Sequence, residues 1–122
     1  MIITTEYLRT HRYTHIFVFG DNFTRKGCGG AAIHRYEPNS YGFITKRYPS
    51  YVNEAYYTIE DYKPIFTIEM KKLIKLIKVS PKKTFLISKI GSNLANRYYI
   101  YENVIQPVLI RLAKQYNNIL LL

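Results

Sequence analysis

The sequence lacks the features of several protein classes. Its single cysteine, Cys28, excludes an internal disulfide framework. The three histidines, His11, His15 and His34, are not spaced as metal ligands, so we expect no metal site. No apolar run approaches the roughly 18 to 20 residues that span a bilayer, and the first residues have no apolar core typical of a signal peptide. We therefore expect a soluble, cytoplasmic protein without a membrane partner.

Acidic residues are also few. Eight Asp and Glu stand against 18 Lys and Arg, which gives a formal net charge of +10. Such an excess favours polyanions, either nucleic acid or a phosphorylated small molecule. Much of the charge lies in residues 71–83, where Pro81 is expected to end a helix. The lysines at helix-face spacing are Lys71, Lys75, Lys78 and Lys82. We interpret them first as the solvated face of an amphipathic helix and second as a nucleic-acid site.

The length of 122 residues and the 48% hydrophobic content predict one domain over residues 1–122. Short apolar runs predict strands at 2–5, 15–19, 41–47, 84–90 and 119–122. Helices are predicted at 30–36, from Pro64 to Pro81 and around 104–112, where Pro107 should kink the helix or confine its regular part to one side. Residues 48–63 show no convincing period and are predicted to be irregular. Apolar strands that alternate with helices indicate an α/β domain with a central, covered sheet.

Two polar loops follow predicted buried strands. The first, Gly20 to Gly30, contains four of the six glycines and leads into a helix. Successive backbone N–H groups in such a loop favour an anion, and the second interpretation is a tight connection without a ligand. The second loop is Gly91 to Arg97. Because ligands of open α/β sheets bind at the carboxyl ends of the strands, we expect both loops and Lys46 to converge there.

Four short motifs occur in the order found in macrodomain-like proteins. They are Gly20-Asp-Asn22, Lys26-Gly-Cys-Gly-Gly-Ala-Ala32, Phe43-Ile-Thr-Lys46 and Ser88-Lys-Ile-Gly-Ser-Asn-Leu94. Over most of residues 16–122 the chain resembles small ADP-ribose-binding macrodomains. It is most similar to the branch with terminal ADP-ribose protein glycohydrolases and antitoxins that strip ADP-ribose from DNA, and it also resembles short phage and bacterial proteins. The resemblance implies a small, single-domain, macrodomain-like fold with a central mixed sheet covered by helices.

The resemblance also implies a role for Lys46, because a strand that ends in Ile-Thr-Lys supplies an active-site lysine in that branch. Its neutral amine would attack the anomeric carbon of the distal ribose and give a covalent intermediate that water resolves. The pKa of the amine must then be lowered, and Arg47 and Lys89 are possible cationic neighbours. Alternatively, Lys46 pairs with a phosphate or caps the end of the strand.

In the last loop of that branch, the resemblance places an aspartate where this chain has Ala95, and Asn93 replaces a glycine. Loss of the acid removes the expected general base, so any surviving base would be Asp21. Asp21 and Asn22 would contact the adenosine or the distal ribose, or else form an Asx turn after the strand. We expect Cys28 to have a packing role.

Together, the loops and the motifs give one set of candidate site residues. The catalytic candidates are Lys46 and Asp21. The expected ligand contacts are Gly20, Asp21, Asn22, Lys26, Gly27, Gly29, Gly30, Ala31, Thr45, Gly91, Ser92, Asn93 and Leu94. The expected partner is ADP-ribose or a related adenine nucleotide, with no cofactor. The alternatives are a basic nucleic-acid-binding protein and a phage-type protein that sequesters a nucleotide signal without turnover.

Overall fold

A four-stranded sheet lies at the centre of the structure, a computed structural model that describes residues 2–122. Its strands are β1 (His15–Asn22), β2 (Ser40–Lys46), β3 (Thr84–Ile87) and β4 (Ile119–Leu121), in the spatial order β2-β1-β3-β4. All three strand pairs are parallel, so the predicted mixed sheet is wrong. Each strand is joined to the next by a crossover along one face of the sheet, so every strand begins at the same end of the sheet.

Two helices cover one face of the sheet: α2 (Ile59–Val79) and α3 (Gln106–Gln115). The helices predicted from Pro64 and around 104–112 are confirmed, and their buried side chains include Phe66, Leu73 and Ile77 of α2 and Leu109 and Leu112 of α3. α2 begins five residues before Pro64, within the segment predicted to be irregular. The Thr58 hydroxyl accepts from the Asp61 N–H and caps this helix, and two acidic residues lie in its first turn.

The opposite face is covered by α1 (Thr5–Thr10) and by a 3-10 turn at Gly30–His34. Leu8 and Ala32 of these elements pack with Phe17, Phe19 and Leu86 of the sheet. The predicted strand at 2–5 is wrong, because the Thr4 hydroxyl accepts from the Tyr7 N–H and starts α1 instead. The helix predicted at 30–36 is this shorter turn.

Proline shapes the final crossover. A π-helical turn, Tyr101–Ile105, precedes α3, and Pro107 lies in the first turn of α3. The regular part of the helix is therefore confined to one side of Pro107, as predicted, since proline cannot donate an intrahelical hydrogen bond. β3 ends at Ile87 and not at residue 90, because the Ile90 N–H turns back to the Ser88 carbonyl.

The strand order creates a crevice at one edge of the sheet. The chain leaves β1 along the α1 face to reach β2 on one side, and it leaves β3 along the α3 face to reach β4 on the other side. β1 and β3 are neighbours in the sheet, and the chain segments that follow them therefore leave in opposite directions. This reversal of direction is the switch point at which open α/β sheets bind ligands.

Candidate functional site

A cleft of about 400 Å³ opens at the carboxyl ends of β1, β2 and β3. Its walls are the loop after β1, the last residues of β2 with residues 49–51, and the loop after β3. Every residue expected to bind ligand lines this cleft. They are Gly20, Asp21, Asn22, Lys26, Gly27, Gly29, Gly30, Ala31, Thr45, Gly91, Ser92, Asn93 and Leu94, and Lys46 lines it too. The structure thus brings together residues that are up to 74 positions apart in the sequence.

The floor of the cleft requires small residues. A Cβ on Gly20 would lie 3.4 Å from Thr45 Oγ1 and 3.5 Å from the Gly91 nitrogen. The buried Thr45 hydroxyl donates to the Asp21 carbonyl at 3.2 Å and joins the ends of β1 and β2. Gly91 has a φ of +79°, and a Cβ there would lie 2.6 Å from Ile105 Cδ1. Gly20 lies within β1, which continues to Asn22 and not only to the predicted end at residue 19, so the backbone of β1 and that of the second loop approach closely at the base of the cleft.

Unpaired backbone donors are concentrated on the two loops. Among residues 2–122, the N–H groups of 26–31 in the first loop and of 91 and 93–95 in the second make no hydrogen bond to backbone or side chain. Buried or ligand-facing N–H groups need an acceptor, and consecutive N–H groups of this kind form anion-binding concavities. The 3-10 turn behind the first loop has only five residues, so the loop backbone and not a helix dipole supplies the donors.

Asp21 is the one carboxylate among the described residues that line the cleft. Arg35 donates to both of its oxygens, at 2.6 and 2.8 Å, and Arg25 Nη1 donates to Oδ2 at 3.3 Å. The Asn22 N–H also donates to Oδ1, at 2.8 Å. The side chain is 2% exposed. These contacts occupy the oxygens that a general base would use, and they cancel the negative charge of Asp21.

Arg35 also fixes the first loop. Its Nε donates to the Gly27 carbonyl at 2.9 Å and its Nη2 to the Lys26 carbonyl at 3.2 Å. The Asn22 amide donates to the same Lys26 carbonyl at 2.6 Å, and its oxygen accepts from the Thr24 N–H in an Asx turn. Carbonyl oxygens of this loop are therefore paired to side chains, whereas its N–H groups are left available.

Lys46 lies at the β2 wall of the cleft. Its Nζ donates to the Ser50 carbonyl at 2.7 Å and lies 4.4 Å from the ring centroid of Tyr56. Burial lowers the pKa of Lys46, and the nearby positive charge of Arg97 lowers it further. The Arg97 guanidinium contacts the same ring, 4.2 Å from the Tyr56 centroid, and donates to Asn53.

The expected cationic neighbours of Lys46 were Arg47 and Lys89, and neither lowers its pKa. The Arg47 side chain turns away, donates to the Glu54 and Tyr56 carbonyls and pairs with Asp61. Arg35 was not expected at the site from the sequence, and Arg97 was expected only as the last residue of the second loop, with no role of its own. No motif marks either residue, because each reaches its partner through folding of a surface loop and not through local spacing.

The remaining candidates lie outside the cleft. The Cys28 side chain is exposed, so the expected packing role is wrong. Lys71, Lys75 and Lys78 are exposed on α2, in agreement with a solvated helix face, whereas Lys82 is exposed in the turn that follows the end of α2 at Val79.

Within residues 2–122 there is no group of three or more His, Cys, Asp or Glu side chains that could hold a metal ion. No helix in the same range is long and apolar enough to cross a bilayer.

Residues 1–96 match a family of unknown function, DUF7831. No curated protein and no solved structure matches the chain significantly. The matched range contains all residues that line the cleft, from Gly20 to Ala95, and ends before α3. Since the match covers well over half of the chain, the protein belongs to the DUF7831 family.

Proposed function

We propose that the cleft binds ADP-ribose or a closely related adenine nucleotide through its diphosphate. The observation that carries this proposal is the set of unpaired backbone N–H groups on both loops, around a cleft whose one carboxylate is neutralised by two arginines. Backbone N–H groups and fixed positive charge are the usual ligands of phosphate groups in α/β proteins.

The charges around the cleft support an anionic ligand. Lys26, Lys46 and Lys89 line it, and Asp21 offers no free negative charge. A diphosphate needs several donors at once, and two loops that meet across a cleft supply more of them than one loop does. Gly30 and Leu94 mark this meeting point, since a Cβ on Gly30 would lie 3.4 Å from Leu94 Cδ1.

The size of the cleft and the resemblance to macrodomains narrow the ligand class. A volume of about 400 Å³ lies within the roughly 300–1,000 Å³ of small-molecule sites. The four macrodomain-like motifs all contribute residues to the cleft wall, and in the family that they resemble the backbone of the last glycine loop wraps the diphosphate of ADP-ribose. An extended dinucleotide-like ligand would reach from the first loop to the aromatic wall at Tyr51.

Calorimetric titration tests the proposal. ADP-ribose should bind, whereas adenosine, which lacks phosphates, should bind at least tenfold more weakly. Changing Lys26 and Lys89 to Gln should weaken ADP-ribose binding by roughly tenfold or more, since a hydrogen bond to a charged group contributes about 1.5–3 kcal/mol. Lys63→Gln, on the exposed surface of α2, should leave the affinity unchanged. No heat at millimolar ADP-ribose, or equal binding of adenosine, would contradict the proposal.

A second candidate function is removal of ADP-ribose from a modified protein or nucleic acid by Lys46. It is favoured by the position of Lys46 on the cleft wall and by the burial that lowers its pKa. A lysine amine is nucleophilic only when neutral, so a lowered pKa raises the reactive fraction near neutral pH. No carboxylate among the described residues of the cleft wall is free to activate water, so binding without turnover is the first proposal.

The pH dependence of ADP-ribose release tests the second candidate. Release should rise with pH as Lys46 loses its proton. In Arg97→Gln this rise should move to higher pH, because the neighbouring positive charge no longer lowers the Lys46 pKa. Lys46→Ala should abolish release and retain the fold. Unchanged turnover in Lys46→Ala, measured by chromatography of free ADP-ribose, would exclude Lys46 as the nucleophile.

A further inference from the structure

The positive charge of the chain is concentrated in its second part. Residues 70–122 contain ten of the 18 Lys and Arg but only one of the eight acidic residues, Glu102. The carboxylates of the first part are largely matched by its own basic residues. The excess charge is therefore a property of the second half of α2, of α3 and of the segments that follow these helices.

The fold collects much of this charge at the amino end of the sheet. α2 and α3 both run opposite to the strands, so their last turns lie where β3 and β4 begin. The Asn118 amide donates to the Ser80 and Lys83 carbonyls, and the Thr84 N–H donates to the Thr14 carbonyl. These bonds bring the turns before β1, β3 and β4 together. We call the resulting surface the cationic pole; it consists of Arg12, Lys75, Lys78, Lys82, Lys83 and Lys114.

These six cations have no carboxylate partner among residues 2–122. An acidic residue at this end of the sheet, Glu37, precedes β2 at the other margin and pairs with Arg9 at 3.2 Å. Uncompensated charge costs free energy through self-repulsion, which a bound polyanion relieves. The cationic pole is therefore suited to a partner with regularly spaced negative charge.

We propose that the cationic pole is a second binding surface, separate from the cleft, that holds the phosphate backbone of nucleic acid. Five of its six cations are lysines, which act as point charges and not as bidentate readers of base edges. Binding is thus independent of base sequence. The apolar stripe of α2 is buried in the core, so the lysines are not accompanied by the broad apolar face with which a helix enters a membrane surface.

The position of the cationic pole separates it from the cleft. β1 has eight residues and is about 23 Å long at the usual rise of a strand, and the two surfaces lie beyond its opposite ends. A nucleotide in the cleft and a backbone at the cationic pole are therefore bound independently. This inference does not rest on the proposed nucleotide binding, and either can fail alone.

Fluorescence anisotropy with a labelled 20-base-pair DNA duplex tests the inference. The wild type should bind with little sequence preference, and its affinity should fall steeply with salt. Changing Lys78 and Lys82 to Gln should reduce the slope of log affinity against log salt by about 1.8, at about 0.9 for each phosphate that the variant no longer neutralises. The control, Lys63→Gln, removes a charge near the start of α2, 12 residues before Lys75, and should keep the slope.

Several outcomes would overturn the inference. An equal reduction of the slope for each charge removed in the control variant would show that binding depends on net charge and not on the cationic pole. Absence of DNA binding at low salt would show that the cationic pole does not bind nucleic acid. Binding to phosphatidylserine vesicles without binding to the duplex would assign the pole to a membrane. The Lys78→Gln, Lys82→Gln variant should also retain the wild-type response to ADP-ribose in calorimetry, which distinguishes failure of the pole from failure of the cleft.

Discussion

Replacing Arg35 by leucine is expected to lower the free energy of unfolding by about 3–5 kcal/mol, which is the usual cost of removing one partner of a buried ion pair. Asp21 would keep the Asn22 N–H and, as its one cationic partner, Arg25, whose side chain is 45% exposed, while its own carboxylate stays almost completely buried. The first loop would also lose two hydrogen bonds, to the Lys26 and Gly27 carbonyls. Chemical denaturation followed by circular dichroism measures the effect.

The matched control for this variant is Arg9→Leu. Arg9 also pairs with an acidic residue, Glu37, but its side chain is 72% exposed. Because the Arg9 side chain is solvated, although that of Glu37 is only 15% exposed, we expect a loss of no more than about 1 kcal/mol, well below the effect of Arg35→Leu. If Arg35→Leu were destabilised by less than about 1 kcal/mol, Asp21 would not be held as a structural ion pair. Its role as a general base would then be open again.

The second large effect is expected for Gly91→Ala. The left-handed backbone at φ +79° costs an alanine about 1–2 kcal/mol. The new Cβ would also lie 2.6 Å from Cδ1 of the fully buried Ile105, and overpacking of this kind costs about 1–3 kcal/mol. Relief of the clash requires the second loop or the buried Ile105 side chain to move. We therefore expect loss of both stability and ADP-ribose affinity.

Gly29→Ala is the matched control for stability. Gly29 has an ordinary extended backbone, and a Cβ there would meet nothing within 4 Å. Thermal unfolding of the two variants should separate them clearly, with Gly29→Ala within about 0.5 kcal/mol of the wild type. Equal stability of the two alanine variants would show that the close approach of Gly91 to the π-helical turn is not required.

Local sequence patterns predicted much of the fold. The apolar run at 15–19 and the apolar face of α2 that includes Leu73 and Ile77 are set by burial, which a single segment reveals. β4 forms within the apolar run at 119–122, although Leu120 and Leu121 are exposed. Strand direction is not a local property, so the mixed sheet was wrong. The segment at 2–5 has the composition of a strand, but the Thr4 cap and the burial of Leu8 under the sheet stabilise a helix after it.

The sequence likewise predicts some features of the candidate site and misses others. Glycine-rich loops after apolar strands are visible in the sequence, and all the residues expected from them line one cleft. The ionic contacts within it are not visible, because Arg35 and Asp21 are 14 residues apart and Arg97 is brought to Lys46 from another loop. These contacts change the expected chemistry. Arg35 occupies the carboxylate oxygens of Asp21, and Arg97 replaces Arg47 and Lys89 as the cationic neighbour of Lys46.

A crystal structure of the protein with ADP-ribose tests the central claim most directly. We expect the diphosphate between the two loops, with its oxygens within hydrogen-bonding distance of N–H groups in residues 27–31 and 91–95. We also expect Asp21 to stay paired with Arg35, since the ion pair belongs to the fold. A ligand bound elsewhere, or a diphosphate held only by surface lysines outside the cleft, would contradict the claim.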